Sequence, residues 1–294
     1  MLMIILILSV LGLSLGSFVN AWVWRLHEQE EIRSQIIALK KKKAPIKKIH
    51  ALELKLRNRS VSKGRSMCTH CGHQLAAKDL IPVFSWLSLR GKCRYCHERI
   101  DDTPVAELGT AALFIASYLW WPAALEGKGL YGLIVWLAAV VVLMALLLYD
   151  LRWMILPNRV TYPLIVYGLV TALGGIAVYD GGIAALRDLG ISLMISGGLF
   201  WALFEMSKGK WIGGGDVKLG AAIGALIGVP MQAFLVLFAA SLLGTVVVLP
   251  GLLSKKLKST SHIPFGPFLI AGTVIVKLFG AGIISWYRRK FLFY

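Results

Sequence analysis

The sequence predicts an all-α polytopic membrane protein of about eight transmembrane helices, with a small zinc-ribbon-like cytoplasmic domain. Three observations lead there. Of 294 residues, 57% are hydrophobic, and the mean hydropathy is +0.71. Apolar runs long enough to cross a bilayer recur along the chain. The four cysteines form two CxxC pairs inside the one long polar segment. A soluble enzyme of this length would not repeat such runs.

The spans are read at 1–24, 104–121, 129–149, 160–178, 183–206, 217–231, 232–253 and 264–286. The sixth is short and ends at Pro230. Asp180-Gly-Gly and Glu126-Gly-Lys-Gly are turn-like breaks. The first run has no basic residue ahead of it. It reads as an uncleaved membrane helix with its amino terminus outside. Gly12 and Gly16 are four apart with Ser17 adjacent, a spacing that lets two helices approach closely.

Charge sets the orientation. The formal net charge is +17, and residues 25–103 hold 18 of the 32 Lys and Arg against 8 of the 15 Asp and Glu. Together with 152–159, 208–218 and 255–258, that side carries 26 of the 32 basic residues. This is the positive-inside pattern, so the side is cytoplasmic and the expected partner is the lipid bilayer, not nucleic acid. The tail WYRRKFLFY conflicts, because eight spans place it outside. Either it lies along the interface as an amphipathic anchor or the span count is off by one. The basic segment 25–65, with the stretch 30–65 at its heart, includes Lys40 to Lys43 and sets Ile32, Ile36 and Leu39 at helical spacing. It reads as a surface helix or helical hairpin, solvated rather than lipid-bound.

The cysteine pairs are Cys68-Thr-His-Cys71 and Cys93-Arg-Tyr-Cys96, with 21 residues between Cys71 and Cys93. Four thiolates so arranged suit a tetrahedral Zn2+, and a closed four-sulfur site is structural because no position is left for water. His70, His73 and His97 read as knuckle residues rather than ligands. A dithiol redox role is the alternative.

Acids are few beyond residue 103: Glu107, Glu126, Asp150, Asp180, Asp188, Glu205 and Asp216. Asp150 ends the apolar run VVLMALLLYD. Asp216 closes the loop Gly213-Gly-Gly-Asp216 before another span. Both fall on the cytoplasmic edge. Two carboxylates held close cannot both ionise easily, so they share a proton. One can then take a proton from water while the other polarises a peptide carbonyl, with no metal required. The glycines permit backbone shapes and close approach that a Cβ would block. A single Asp at a helix boundary is ordinarily a cap. The pair on one side, with a Gly-x-Gly-Asp loop, reads as an aspartic-protease dyad. A transporter would place acids near the midplane, often in repeated halves. A non-catalytic assembly protein would use the CxxC domain for docking.

These motifs, in order, resemble those of the bacterial type IV prepilin peptidases, over nearly the whole chain. Gly16-Ser-Phe-Val-Asn20 with Trp24-Arg25-Leu26 is similar to the family's first-helix signature. Cys68-x-x-Cys71, Leu80-Ile-Pro82-Val-Phe-Ser-Trp86 and Arg90-Gly91-Lys-Cys93-x-x-Cys96 resemble its cytoplasmic zinc-type domain. Tyr149-Asp150 with Leu156-Pro157-Asn158, and Gly213-Gly-Gly-Asp216-Val-Lys218-Leu, resemble its two catalytic motifs. Pro264-Phe-Gly266-Pro267-Phe resembles the last-helix signature. The Gly-x-Gly-Asp element alone is shared with presenilin-type proteases; the series is specific.

The resemblance implies a bacterial inner-membrane endopeptidase with its active site toward the cytoplasm. It would remove the short basic leader of prepilins and pseudopilins after a glycine, using Asp150 and Asp216. It implies S-adenosylmethionine-dependent methylation of the new amino terminus in members with the cysteine domain. No GxGxxG-type loop assigns the donor site. Residues 1–103 are read as the first helix plus the basic four-cysteine domain, and 104–294 as the peptidase domain. Two features depart from the family pattern: the long basic stretch, and a looser Asp101-Asp102-Thr103-Pro104-Val-Ala-Glu107. Glu107 reads as a helix-start residue rather than part of the site. Lys218 either sets local charge, contacts substrate or snorkels to the interface.

Overall fold

A computed structural model describes residues 1–43, 45–58, 66–68, 70–100, 103–179, 181–254 and 263–291. Asp101, Asp102, Asp180, Lys255 to Lys258 and part of the basic stretch lie outside them. The chain forms two compact units, Met1–Ile115 and Ala116–Tyr294. Among the described residues the regular structure is helical, with two isolated β-bridges, Met67 to Gln74 and Lys92 to Arg99.

In the first unit, α1 (Leu2–Lys41) is one continuous helix of 40 residues. At about 1.5 Å per residue it is about twice the length of a bilayer core. The expected span 1–24 is therefore only its first part. The expected surface helix is its direct continuation, because no Gly or Pro stands between Ser17 and Lys43 to break it. Leu26, Gln29, Ile32 and Ile36 are buried along one face. α2 (Ile46–Asn58) packs back on α1. The Lys40 ammonium lies 3.2 Å from Glu53 across this helical hairpin. Both groups are exposed, so the pair adds little stability.

Beyond α2 come a 3-10 turn (Ala77–Leu80), the short α3 (Phe84–Ser88) and α4 (Val105–Leu119). The close-packing role of Gly12 and Gly16 holds. A Cβ on Gly12 would lie 2.5 Å from the Ala111 Cα, and one on Gly16 would lie 2.5 Å from the Glu107 Cα. Glu107 sits in the first turn of α4 and accepts a hydrogen bond from the Val83 N–H, which fits its helix-start reading.

The second unit contains α5 (Gly127–Trp153), α6 (Asn158–Val178), α7 (Gly182–Leu193), α8 (Leu199–Ser207), α9 (Gly214–Ile227), α10 (Pro230–Leu253) and α11 (Gly266–Phe291). A π-turn, Met194–Gly198, joins α7 to α8 as one apolar stretch. α5 and α6 are tied by Tyr131 and Tyr167, whose hydroxyls donate to the Thr171 and Val135 carbonyls at 3.0 and 2.8 Å.

Among the described residues six helices, not eight, are long and apolar enough to cross a membrane. The other two expected spans are helical but reach only 15 residues (α4) and 14 (α9). At about 1.5 Å per residue they fall short of a hydrocarbon core of about 30 Å. α9 does not need that length. Its Leu219, Gly220, Ala222, Ile223, Gly224, Ala225 and Ile227 are buried among α6, α7, the π-turn and α8. Small residues make this possible: a Cβ on Gly220 would lie 2.4 Å from the Ser196 carbonyl oxygen, and one on Gly224 would lie 2.4 Å from Ser196 Oγ. The Ser192 hydroxyl donates to the Gly224 carbonyl at 2.9 Å. Lys277 of α11 donates to the Leu226 carbonyl at 3.2 Å. That places a cation at the C-terminal, partly negative end of α9. The Trp121 and Trp136 rings flank the same ammonium at 6.0 and 5.9 Å.

The described part of the tail, Trp286 to Phe291, continues α11 rather than forming a separate surface helix.

Candidate active site and metal centre

Asp150 lies in the last turn of α5 and is 4% exposed. The helix stops three residues on, where Met154 adopts a left-handed conformation and returns its N–H to the Asp150 carbonyl at 2.8 Å. The Asp150 carboxylate faces the first residue of α11 and accepts a hydrogen bond from the Gly266 N–H. A Cβ on Gly266 would lie 2.4 Å from Asp150 Oδ2, so this position has no room for a side chain.

Asp216 is the third residue of α9 and bonds back to the Gly213 backbone at the N-cap. This is the carboxylate half of a capping box. Both acids therefore sit at helix N-termini, Asp150 at that of α11 and Asp216 at that of α9. There each carboxylate meets a backbone N–H group that its helix leaves unsatisfied. The two carboxylates are near enough to interact electrostatically. Sequence-distant motifs thus meet in one unit.

Leu156 is the packing piece between them. A Cβ on Gly215 would meet Leu156 Cβ at 3.1 Å, and one on Gly266 would meet Leu156 Cδ1 at 3.7 Å. Lys218 Nζ donates to Asn158 Oδ1 at 2.7 Å and lies 5.3 Å from the centre of the Tyr162 ring. It joins the turn after Asp150 to the helix carrying Asp216, a role that sequence reasoning missed. Leu156 and Gly266 were visible only as motif letters, since their contacts depend on tertiary neighbours.

The four cysteines converge in the first unit. Their Sγ atoms all lie within 4.8 Å of one another, and Cys68 Sγ is 3.8 Å from Cys96 Sγ. With Zn–S bonds of about 2.3 Å, the edge of a tetrahedron is about 3.8 Å, so the thiol set fits zinc. Each CxxC has the same turn. The Cys68 N–H bonds the His73 carbonyl at 2.9 Å, and the Cys93 N–H bonds the Glu98 carbonyl at 2.8 Å. The residue after each pair is left-handed, Gly72 with φ +70° and His97 with φ +58°. Gly suits that conformation; His97 adopts it at some cost in strain. Among the described residues no histidine joins the cluster. His73 packs on Tyr95, ring centroids 3.7 Å apart.

Asp79 orders the second knuckle, and no motif pointed to it. Its side chain is 3% exposed; it accepts from Arg94 Nε at 2.6 Å, the Ala76 N–H at 3.2 Å and the Tyr95 hydroxyl at 3.1 Å. The Arg94 hydrogen bond leads in holding its carboxyl below the usual carboxylate range. A carboxyl depressed in the folded state stabilises above its unfolded value of about 3.9, and that contribution is lost as pH falls through the folded value. Asp79→Asn should loosen residues 66–100 at neutral pH, and its gap from wild type should close below about pH 4. Urea titration read by covalent footprinting of that segment checks this.

Comparison with known proteins adds the lineage. Residues 10–121 match the model of the bacterial Peptidase A24 N-terminal domain, and residues 137–249 match that of the type IV leader peptidase family. A prepilin leader peptidase/N-methyltransferase of Pectobacterium carotovorum subsp. carotovorum is 36% identical, over 91% of this chain and 90% of its own. One from Bacillus subtilis (strain 168) is 34% identical over 79% and 89%. One from Aeromonas hydrophila is 36% identical over 78% and 76%. No solved structure matches the chain. Motif order, near-full-length identity and the two family models agree, and the chain belongs to the type IV leader peptidase family.

Proposed function

We propose that this protein is a prepilin leader peptidase and N-methyltransferase of the bacterial inner membrane. Its substrates are prepilins and pseudopilins, cleaved after the glycine that ends a short basic leader. The observation that carries this is the meeting of two carboxylates, Asp150 and Asp216, at the N-termini of α11 and α9 in a chain of this family. One acts as general base on a water, while the other, protonated, polarises the scissile carbonyl. The water oxygen bonds the carbonyl carbon, the C–N bond breaks, and the leaving amine takes a proton from the pair. The pair titrates as a unit, and no metal takes part.

Arg152 and Arg159 near Asp150 in sequence, and Lys208, Lys210 and Lys218 near Asp216, support an active site toward the cytoplasm, against anionic lipid. Residues 104–294 form the peptidase part and 1–103 the first helix with the four-cysteine domain. Cys68, Cys71, Cys93 and Cys96 hold a structural zinc. The methyl donor is S-adenosylmethionine.

Incubating purified protein with a prepilin and reading product masses tests the function. Loss of the leader after its glycine, with methylation only when S-adenosylmethionine is added, is expected. An intact precursor would overturn the reading. Gly266→Val tests the geometry. Pushing Asp150 aside by about 1 Å should slow cleavage on the order of 10²-fold, with the fold retained.

A further inference from the structure

Three helices build the candidate acid site. α5 carries Asp150, α9 carries Asp216, and α11 supplies the Gly266 N–H. They belong to different packed sets. α9 lies against α6, α7, the π-turn and α8. α11 lies against α10, so closely that a Cβ on Gly272 would sit 3.0 Å from the Val236 carbonyl oxygen. The separation of the two carboxylates therefore depends on how these sets are joined. Leu156 joins them at the acid end, between Gly215 and Gly266.

Lys277 joins them deeper in the bundle. It is a partly buried cation on an otherwise apolar stretch of α11. A charge at such a place is costly in a membrane and marks a functional group. Its ammonium donates to the Leu226 carbonyl of α9 at 3.2 Å. Leu226 is one of the last four residues of α9, whose carbonyls the helix itself leaves open. The same ammonium lies 6.0 and 5.9 Å from the centres of the Trp121 and Trp136 rings. Those rings are held in turn. Trp136 Nε1 donates to Ser117 Oγ and Trp121 Nε1 to the Gly129 carbonyl, both at 2.9 Å. Trp136 belongs to α5. One ammonium thus reaches all three helices of the site, its own α11, α9 through a carbonyl and α5 through an indole face.

The lengths along the helices match. Lys277 lies about three turns beyond Gly266 on α11, and Leu226 about three turns beyond Asp216 on α9. Both helices leave the acid pair at their N-termini and meet again about 16 Å further on. A slip of one residue between them would carry Asp216 about 1.5 Å along its axis.

We propose that Lys277 is a positioning residue for peptide cleavage. It clamps the C-terminal end of α9 to α11 and α5, and so holds Asp216 at its working distance from Asp150. The inference rests on the peptidase reading. Lys277 touches neither carboxylate and acts only through the register of α9. A displacement of about 1 Å at a reacting group costs about 10²-fold in rate.

Lys277→Met and Lys277→Arg test this in the full chain in detergent, with a prepilin as substrate. Met fills similar space without charge or donor, and it spares the cost of burying an ammonium. The variant should therefore stay folded, with a melting temperature close to that of wild type. Its kcat per folded molecule should fall by about tenfold to 10²-fold while KM stays near the wild-type value. That split is the mark of lost alignment rather than lost binding. Lys277→Arg restores a cation with donors and should recover most of the lost kcat. A merely structural lysine predicts a lower melting temperature with kcat per folded molecule unchanged. That result, a change confined to KM, or an Arg variant no faster than the Met variant overturns the proposal. Amide hydrogen exchange supplies a readout independent of cleavage. Residues 224–228 should exchange faster in Lys277→Met than in wild type, and unchanged exchange overturns the clamp. If wild type leaves the precursor intact, the peptidase reading falls, while faster exchange in the Met variant still supports the clamp.

Discussion

Asp150→Asn and Asp216→Asn should each abolish leader removal while the protein remains folded. Asn keeps the size and hydrogen-bonding outline of Asp but can neither take nor supply the proton. Asp150 would still accept the Gly266 N–H through its amide oxygen, and Asp216 the Gly213 backbone bond. General acid–base catalysis contributes about 10²–10⁴-fold, and the pair needs both members for its two proton transfers, so a loss near the top of that range is expected. Product masses over time measure it. A purely capping role for Asp216 predicts lower stability with cleavage intact, so the same pair of measurements separates the two roles.

The second large effect concerns the metal. Wild type should carry about one Zn2+ per chain. Cys93→Ser removes the thiol that is buried at 4% exposure and should bring the zinc content close to zero. Structural zinc sites supply about 10–16 kcal/mol of apparent binding free energy, much of it folding free energy. Among the described residues, regular structure around the two knuckles is short: two isolated bridges, α3 and a 3-10 turn, beside the Asp79 bonds and the His73–Tyr95 contact. Residues 66–100 should therefore become accessible to covalent footprinting. Chelation should do the same to wild type and leave cleavage running, since no thiol belongs to the carboxylate pair. Full zinc occupancy in Cys93→Ser, or two disulfides in metal-free wild type, would contradict the cage.

The helices were legible because hydrophobic runs and glycine breaks are local signals. Span number was not, because composition cannot distinguish a run in lipid from one wrapped by protein. α9 reads as apolar for the second reason, with Gly220 and Gly224 letting the π-turn rest on it. The continuity of α1 was readable from the absence of a breaker between Ser17 and Lys43, but the change from apolar to charged at Arg25 masks it. At the candidate site, residue type and helix-edge position singled out Asp150 and Asp216, whose carboxylates lie near enough to interact. The Gly266 N–H, the Leu156 wedge and the link from Lys218 to Asn158 join motifs far apart in sequence, and no local pattern encodes such contacts. Asp79 was hidden for the same reason, since an acid outside the CxxC pairs reads as ordinary surface charge.

The central claim is that Asp150 and Asp216 work as one unit on one water. The rate of prepilin cleavage by the double variant Asp150→Asn/Asp216→Asn, set beside both single variants, tests it most directly. Residues acting as a unit are strongly non-additive, so the double variant should be about as slow as the slower single one. Losses that multiply, or wild-type cleavage by either single variant, would contradict the account.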